Sequence, residues 1–413
     1  MTDSPDRAVD PRPLAGLDLA DPRVHAERDL TEVWRHLRDE RPLWWNASPA
    51  GPGEGFWVVS RYADVVAVYR DPDRFTSVRG NLLASLLHGG DSAGGRMMVV
   101  SDGPRHTAVR RLLASSLGPR TMHRLEAAVT ATTNRLLDAA MAKPGGDFAR
   151  DVAAHIPLWT ICDLLGVPEA DRSFVQRQTN LALGSEDPAQ SPVQVWAARN
   201  EILLYFRELA RAKRGRADDD LVSVLATGRI DGAAIDEDEL VLNCYSLILG
   251  GDETARMSMS GMVAMFAREP GEWRRWCAGE VSTTSAVDEV LRWTSPALHV
   301  GRTAVVDVEL HGEHIRAGDV VTAWNVSANR DEREFARPDV FDLSRSPNRH
   351  VTFGYGSHFC LGAALARMEI AVLAQALRTR VSAIELTGVP RRVYSNFLSG
   401  YTSLPVAFTA VVS

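Results

Sequence analysis

The chain has few cysteines, no long apolar run at its start and no excess of positive charge. Its 413 residues include four cysteines, Cys162, Cys244, Cys277 and Cys360, and no two of them form a C-x-x-C pair. This spacing argues against a zinc knuckle or a disulfide framework and suits a reducing compartment. The net charge of −7 gives no sign of nucleic-acid binding.

The first forty residues are rich in proline and charge and lack an apolar stretch of signal-peptide or membrane-anchor length. We therefore expect a cytoplasmic protein that binds no membrane. Residues 1–25 are expected to form a loosely ordered arm of a single domain that covers residues 1–413. A chain of this length can bury a large core and enclose a cofactor.

One cysteine stands in a glycine-rich stretch, 350–362, directly ahead of an apolar-periodic segment that runs to about Leu377. A cysteine at a helix N-terminus is favoured as the thiolate, which is the form that ligates metals. The nearby glycines permit positive φ angles or a close approach of the backbone to a bound group. A single cysteine beside a helix start is, however, more often a small buried hydrophobe. The residue alone leaves both interpretations open.

A long apolar helical pattern from Asp236 to about Arg268 contains Gly250-Gly251 directly ahead of Asp252-Glu253-Thr254. Each mid-helix glycine costs about 1 kcal/mol relative to alanine, so the pair indicates a function. A local widening of the helix, or a threonine that leaves its own turn, can open a groove for water or a diatomic ligand. An acid beside a hydroxyl suits proton delivery. The alternative is a simple kink whose acids face solvent.

Two further pairs share a helix face but are weak signals by themselves. His106 and Arg110 are four residues apart, and such a pair alone indicates a solvated helix face. Glu289 and Arg292 are three apart in an E-x-x-R pattern, which occurs often by chance in a chain with 24% charged residues. Arg256, just past the acid–alcohol pair, either reaches a polar substrate group or pairs with a neighbouring acid, and we favour the second.

Taken together, these patterns resemble the cytochrome P450 monooxygenases. The string Phe353-x-x-Gly356-x-x-x-Cys360-x-Gly362 matches the family's haem-binding loop, and Gly250-Gly251-x-Glu253-Thr254 matches its oxygen-handling motif without a departure. The resemblance implies a mainly α fold with a small β portion, the triangular prism of the family. Haem b would lie between the long central helix and the cysteine loop, with Cys360 as the axial thiolate ligand.

The resemblance also assigns roles to individual residues. Glu253 and Thr254 would be catalytic and deliver protons to activated dioxygen. The haem propionates would be bound by His106, Arg110, Arg302 and His350. Other haem contacts would come from Phe353, Gly354, Gly362, Gly250 and Gly251, substrate contacts from Leu86, Ala297, Val300, Phe397 and Leu398, and a buried structural cluster from Glu289, Arg292 and Arg345.

The implied activity is the NAD(P)H-driven insertion of one atom of O2 into a small organic molecule. The substrate would belong to secondary metabolism: a polyketide, a terpenoid, or an amino acid or peptide, either free or tethered to a carrier protein. Because the chain contains no flavin or iron–sulfur sequence, electrons would come from a ferredoxin and its reductase. The docking face would lie near Cys360, where Arg110, Arg111 and Arg367 could steer an acidic partner.

Two other classes stay open at this point. A haem-thiolate isomerase, peroxygenase or oxidative coupling enzyme would use the same iron differently. The acid–alcohol pair favours activation of O2 over the direct use of peroxide. The second class is a non-enzymatic haem sensor or electron carrier.

Overall fold

The computed structural model describes residues 14–48, 55–143, 145–183, 190–216 and 218–411. Helices dominate these residues. A single π-helical turn covers Ala149–Ala153, and short 3-10 turns cover Met98–Val100, Glu169–Asp171 and Gly356–His358. The α-helices of the described residues are α1 (Pro22–Glu27), α2 (Thr31–Glu40), α3 (Tyr62–Arg70), α4 (Leu83–Leu87), α5 (Gly103–Ser115), α6 (Pro119–Ala142), α7 (Ile156–Leu165), α8 (Arg172–Leu183), α9 (Pro192–Lys213), α10 (Leu221–Thr227), α11 (Glu237–Arg268), α12 (Pro270–Ala278), α13 (Thr283–Thr294), α14 (Asn325–Ala328) and α15 (Ala363–Arg380).

The strands are short. They are β1 (Leu43–Ala47), β2 (Gly55–Val59), β3 (Phe75–Thr76), β4 (Arg229–Ile230), β5 (Ala233–Ala234), β6 (His299–Ala304), β7 (Val308–Leu310), β8 (Glu313–Ile315), β9 (Val320–Trp324), β10 (Val381–Leu386), β11 (Arg391–Arg392), β12 (Tyr401–Ser403) and β13 (Val406–Ala410). The largest sheet has five strands in the order β1-β2-β9-β6-β3, and the others are strand pairs.

The five-stranded sheet joins two distant parts of the chain. Strand β2 pairs in parallel with β9, and β9 pairs with β6. Between β6 and β9, strands β7 and β8 form a separate hairpin that closes on His311-Gly312, both with positive φ, as a two-residue hairpin turn requires. In β6, alternate residues share a face, which sends Val300 and Arg302 to the same side.

The central helix α11 begins and ends where the sequence predicted. The Asp236 carboxylate caps its first turn by accepting the N–H groups of Asp238 and Glu239, and Glu269 follows its last residue as the C-cap, directly before Pro270. Most of its side chains are buried, and they join the two largest apolar cores of the described residues. Across the described ranges, no helix, α11 included, is both long and apolar enough to cross a membrane.

The expected loose arm at residues 1–25 is wrong for the part that the structure describes. Leu17, Leu19 and Val24 are buried in an apolar cluster that includes Phe56 and Trp324. The Leu19 N–H also donates to the Asn46 side chain at 2.8 Å. Proline and charge suggested mobility, but three apolar side chains with a tertiary partner are enough to dock the segment. Residues 1–13 lie outside the described residues.

A buried charge cluster joins α13 to the segment that leads to the cysteine loop. The Glu289 carboxylate accepts two hydrogen bonds from Arg292, both at 2.8 Å, and one from Arg345 at 3.0 Å. It also accepts the Asn348 side-chain amide and the Asp342 N–H. Glu289 and Arg292 are fully buried. The cluster therefore fixes the loop approach relative to α13.

The cluster gives a stability prediction. Replacing Glu289 by glutamine leaves two buried guanidinium groups without their counter-charge, so the free energy of unfolding should fall by about 3 to 5 kcal/mol. Urea titration followed by circular dichroism measures it. In the control Glu32→Gln, the carboxylate is 78% exposed beside Arg35, and the loss should stay below about 1 kcal/mol. Equal losses in the two variants would contradict a structural role for the cluster.

Candidate active site

The cysteine loop is held by a backbone hydrogen bond and by one required glycine. The Cys360 N–H donates to the Phe353 carbonyl at 2.8 Å, which closes the loop on itself. Gly356 has a φ of +70°, and a Cβ atom there would lie 2.6 Å from the Tyr69 carbonyl oxygen, so glycine is required. The loop then reaches Gly362, the N-cap of α15. Cys360 therefore lies just ahead of the helix.

A cavity of about 320 Å³ lies between this loop and the middle of α11. Its volume is in the range of small-molecule sites, and most of its lining side chains are apolar. All four cysteines of the chain are in the described residues, and Cys360 alone among them lines the cavity. The other residues predicted for the site that line it are Gly250, Gly251, Thr254, His106, Arg110, Arg302, Ala297, Val300, Phe353, Gly354, Gly362 and Phe397.

The Cys360 side chain is open to the cavity. Burial by the protein atoms around it raises the pKa of the thiol, while the Gly362 N–H and the charges of Arg110 and Arg367 act in the opposite direction. For the protein atoms alone, burial therefore outweighs this hydrogen bond and these two charges. A coordinated metal cation deprotonates a thiol outright, so this sulfur suits metal ligation.

Histidine and arginine side chains gather at one edge of the cavity, where the Asp102 carboxylate acts on both His106 and Arg302. Buried His106 has no hydrogen-bond partner for Nε2 among the described residues, and burial, with the charges of His358 and Arg110, lowers the pKa of His106 to about 4. Arg302 is also buried, which lowers its pKa; within the described chain its guanidinium donates only to the Gly301 carbonyl. Neutral His106 and charged Arg302 therefore both have free capacity to hydrogen-bond an anion, which fits the propionates of a haem.

His358 belongs to this edge and was missed by the sequence analysis. Its ring centroid lies 4.1 Å from that of His106, and its Nε2 atom lies 3.1 Å from the Asp102 carboxylate. Hydrogen bonds from His358 and Thr76 and from the Ser77 backbone lower the pKa of Asp102 even though burial opposes the shift. The sequence feature that could have identified His358 is its position two residues before Cys360, within the cysteine loop itself.

The prediction that His350 binds a propionate is wrong. Its side chain is 2% exposed and its Nε2 atom lies 3.4 Å from the Asp288 carboxylate, away from the cavity lining. Asp288 also accepts Arg367 at 2.9 Å, and the Arg367 guanidinium lies over the Phe353 ring. In the extended segment before Phe353, the backbone turns His350 toward this outer group and not toward the cavity.

The acid and the alcohol of the α11 motif point in different directions. Thr254 lines the cavity and donates its hydroxyl to the Gly250 carbonyl at 3.2 Å. Glu253 does not line the cavity; it is buried and bound to Arg256 at 2.9 Å, which confirms the expected role of Arg256. The predicted proton path from Glu253 to Thr254 is therefore not a direct contact. The helix stays α-helical throughout, so the predicted local widening is not seen.

Glycine occurs at the two positions of this motif for different structural reasons. A Cβ atom at Gly251 would lie 2.9 Å from the Ile161 side chain, so glycine allows α7 to pack closely on α11. A Cβ atom at Gly250 would meet open space, which leaves its carbonyl and the Thr254 hydroxyl facing the cavity. The cost of two mid-helix glycines is thus explained by packing at one and by the open cavity wall at the other.

Two predicted substrate contacts are wrong, and three are placed at the cavity. Leu86 is buried against Gly301 and does not line the cavity. Leu398 faces a separate cleft on the other side of the tail turn. Phe397 lines the cavity, because adjacent residues of the extended turn point to opposite sides. The other two contacts at the cavity are Ala297 and Val300.

Two further buried acids lie close to the cavity. Glu369 lines it from α15, and burial raises the pKa of Glu369 to about 8. Burial and the nearby charges of Glu253 and Glu369 also raise the pKa of Asp252. One oxygen of each of the Asp252 and Glu369 carboxyls has no partner among the described residues. Both groups therefore tend to hold protons, although the sequence motifs assigned neither a role.

The fold and the cavity define a helical protein that can hold a flat, anionic cofactor on one cysteine. The family model described as Cytochrome P450 matches residues 282–390. Cytochrome P450 NovI of Streptomyces niveus is 45% identical over 401 residues, covering 97% of this chain and 98% of that protein. The steroid C26-monooxygenase of Mycobacterium tuberculosis strain H37Rv is 32% identical, covering 95% of this chain and 93% of that protein.

Solved structures give the same result. P450 OxyD, which is involved in the biosynthesis of vancomycin-type antibiotics, superimposes with a TM-score of 0.88 at 36% identity, covering 96% of this chain and 100% of that chain. The bacillaene polyketide synthase cytochrome P450 PksS of Bacillus subtilis 168 gives a TM-score of 0.84 at 29% identity, covering 95% and 100%. The chain belongs to the cytochrome P450 family. It is a P450 monooxygenase, whose cofactor is haem with a cysteine thiolate ligand and whose co-substrate is O2.

The edge of the cavity formed by His106, Arg110, Arg302 and His358 predicts which histidine retains haem. His358→Leu should accelerate the transfer of haem to excess apomyoglobin roughly tenfold, because one charge-assisted hydrogen bond is lost. His350→Leu is the matched control, since this side chain contacts Asp288 at 3.4 Å and the Phe353 ring but does not line the cavity, and its transfer rate should stay close to that of the wild type. If His350→Leu lost haem faster than His358→Leu, the assignment of the two histidines would be reversed.

Glu369 predicts a pH-dependent stability. Its pKa is about 8 in the folded chain against an ordinary value of 4.5, so folding takes up a proton between those pH values and wild-type stability falls as the pH rises. Glutamine cannot ionise. The stability of Glu369→Gln relative to the wild type should therefore rise with pH, by on the order of 1.4 kcal/mol for each unit. Urea titrations at several pH values in this window measure it; a constant difference would contradict a protonated Glu369.

Proposed function

We propose that Cys360 is the axial haem ligand and that the protein inserts one atom of O2 into a small organic substrate of bacterial secondary metabolism. The observation that supports this most is the placement of Cys360 and Thr254 on opposite sides of one apolar cavity. Bound haem supplies the activation of dioxygen. The protein residues orient the haem and the substrate, exclude water and deliver protons.

The propionates are assigned to His106, Arg110, Arg302 and His358. Their donors converge at one edge of the cavity and would hold the carboxylates of the haem there. Phe353 and Gly354 of the cysteine loop and Gly250 and Gly251 of α11 line the cavity and would contact the bound haem. Thr254 lines the same cavity from α11.

Thr254 is the residue that holds a proton at the cavity wall. Its hydroxyl donates to the Gly250 carbonyl, so its oxygen can also accept a hydrogen bond from water. Glu253 reaches this hydroxyl only if the ion pair with Arg256 opens, because both partners are buried and bound to each other. The proposal therefore includes a side-chain movement of Glu253 within each proton-delivery step.

The substrate class is argued from the cavity and from the relatives. Apolar side chains such as Val99, Leu247 and Val300 dominate the lining, and Asn81 and Ser246 add polar groups that can orient a ligand. OxyD belongs to antibiotic biosynthesis and PksS to a polyketide synthase by their names. A polyketide, a terpenoid, or an amino acid or peptide that is free or carrier-bound fits this combination.

Electrons are proposed to come from a ferredoxin and its reductase in the cytoplasm. Arg111 is exposed on α5 and can steer an acidic partner. Arg367 is 37% exposed, and its guanidinium is bound to Asp288. It therefore contributes a fixed side chain as well as a charge to the proposed docking face. Arg110 lines the cavity, and we now place it with the haem contacts and not on the docking face.

The test uses isotopically labelled dioxygen and the haem-loaded protein. Once a substrate is found by its shift of the haem absorption band, turnover with NADPH, ferredoxin and reductase should add one labelled oxygen atom to the product. An oxidised product without the label would indicate oxidative coupling. Turnover that needs hydrogen peroxide and no reductase would indicate a peroxygenase. No turnover with any ligand that shifts the band would favour a sensor.

The role of Thr254 gives a second prediction for the same assay. In Thr254→Ala, NADPH consumption should continue while the product formed per NADPH falls at least about tenfold and hydrogen peroxide accumulates, because proton delivery is impaired. Ser258→Ala is the control, since Ser258 lines the same cavity one turn further along α11 and should leave the coupling unchanged. Equal coupling in the two variants would remove Thr254 from the mechanism.

A further inference from the structure

A second cavity lies beside the active site and shares no lining residue with it. Its volume is about 440 Å³, which is again in the range of small-molecule sites. It is enclosed by α2, the C-terminal half of α11, the end of α13 and the tail turn before β12. We call it the arginine cleft after the residues that define it, Arg28, Arg38, Arg268, Arg330 and Arg392.

The arginine cleft and the active cavity are separated by a thin wall. Phe397 lines the active cavity and Leu398 lines the cleft, and the same alternation holds for Ala297 and Leu298. Gly400 closes the wall, because a Cβ atom there would clash with the Met257 side chain. The two spaces are therefore distinct sites, and the cleft is not an extension of the substrate pocket.

Positive charge exceeds negative charge in the cleft. Five arginines face it, against the carboxylates of Asp29, Glu269 and Asp339. Arg38 is paired with Glu332 outside the cleft lining. Among the described residues, Arg28, Arg268 and Arg392 have no carboxylate within ion-pair distance, although Arg268 donates to the Tyr401 hydroxyl at 3.0 Å. Donors of this kind bind a carboxylate or a phosphate.

Arg330 is set back in the wall of the cleft, with its side chain 21% exposed. Its guanidinium stacks on the Trp293 ring at 3.8 Å. Within the described part of the chain its one hydrogen bond is a long one, 3.4 Å, to Asp339, which Arg35 also binds at 2.8 Å. Burial, together with the charge of Arg292, lowers the pKa of Arg330 to about 10. A guanidinium has five N–H donors, so most of those of Arg330 are left for a ligand in the cleft.

The remaining wall is apolar and suits the body of an organic molecule. Trp34 and Trp293 present aromatic rings, and Met257, Met265 and Leu398 complete this side. Aromatic side chains provide a large contact area for a planar or aliphatic group. The cleft thus combines anion-binding donors at its charged side with an apolar surface beside them.

We propose that the arginine cleft is a second ligand site, separate from the active cavity, for a small organic anion that bears a carboxylate or a phosphate on an apolar body. Arg268, Arg330 and Arg392 bind the anionic group, and the rings of Trp34 and Trp293 contact the body. The tail turn Phe397–Gly400 forms one wall of this site.

The test is calorimetric titration of the haem-loaded protein with 1-naphthyl phosphate, with and without saturating imidazole, which ligates haem iron and competes with ligands of the active cavity. We expect saturable one-to-one binding that is at least about tenfold weaker for neutral 1-naphthol, which lacks the charge-assisted hydrogen bonds. Binding abolished by imidazole would place the ligand in the active cavity and overturn the proposal. If inorganic phosphate bound as tightly as 1-naphthyl phosphate, the proposal that the ligand carries an apolar organic body would be overturned.

Charge reversal locates the site. The double variant Arg28→Glu and Arg392→Glu should weaken 1-naphthyl phosphate at least about tenfold. Arg23→Glu, which reverses a 67% exposed arginine on α1 outside the cleft, should not. Unchanged binding in the double variant, or an equal loss in Arg23→Glu, would overturn the proposal.

A milder variant covers the case in which the double variant does not fold. The carbon monoxide complex of the reduced protein, with its family-specific absorption band, reports correct folding around haem. Arg268→Gln keeps a side-chain donor for the Tyr401 hydroxyl but removes the charge. It should weaken 1-naphthyl phosphate severalfold and leave that band unchanged; full affinity in this variant would remove Arg268 from the site.

Discussion

The placement of the cysteine loop depends on one buried carboxylate. Glu289 accepts hydrogen bonds from Arg292, Arg345 and two other groups that belong to the segment leading into the loop. Because these donors come from two separate stretches of chain, α13 and residues 342–348, losing the carboxylate would release both together. A buried ion pair is weak support for net stability, so its value here is positional: it holds α13 against the approach to Cys360.

At the cavity edge, the protein holds positive charge that its own residues neutralise only in part. Arg302 is buried, Arg110 lines the same cavity, and the nearby Asp102 carboxylate is already bound to His358, which is unfavourable until a further anionic group arrives. In the proposed arrangement the haem propionates supply that charge, so haem binding and folding would be coupled. The opposite imbalance occurs behind α11, where Asp252, Glu253 and Glu369 share one arginine and two of these acids tend to stay protonated.

Residue patterns located the elements well but not the direction of each side chain. The bounds of α11 and the glycine loop followed from capping, periodicity and glycine spacing, which are local properties of the chain. His350 and His358 both precede Cys360, yet only His358 faces the cavity. The difference comes from turns in the loop that no periodicity describes. The prediction that Leu398 contacts the substrate was wrong for a similar reason. In an extended turn, adjacent residues point to opposite sides, so Leu398 faces the arginine cleft while Phe397 faces the active cavity.

The sequence by itself determined the family, the cysteine and the acid–alcohol motif, because these depend on residue identity at fixed short spacing. Tertiary structure alone decided that Glu253 is bound to Arg256 and not to Thr254, that Glu369 reaches the cavity from α15, and that five arginines from distant segments meet in one cleft. Each of these depends on contacts between parts of the chain that are far apart in sequence. Such contacts are set by the packing of whole helices, and residue spacing does not encode them.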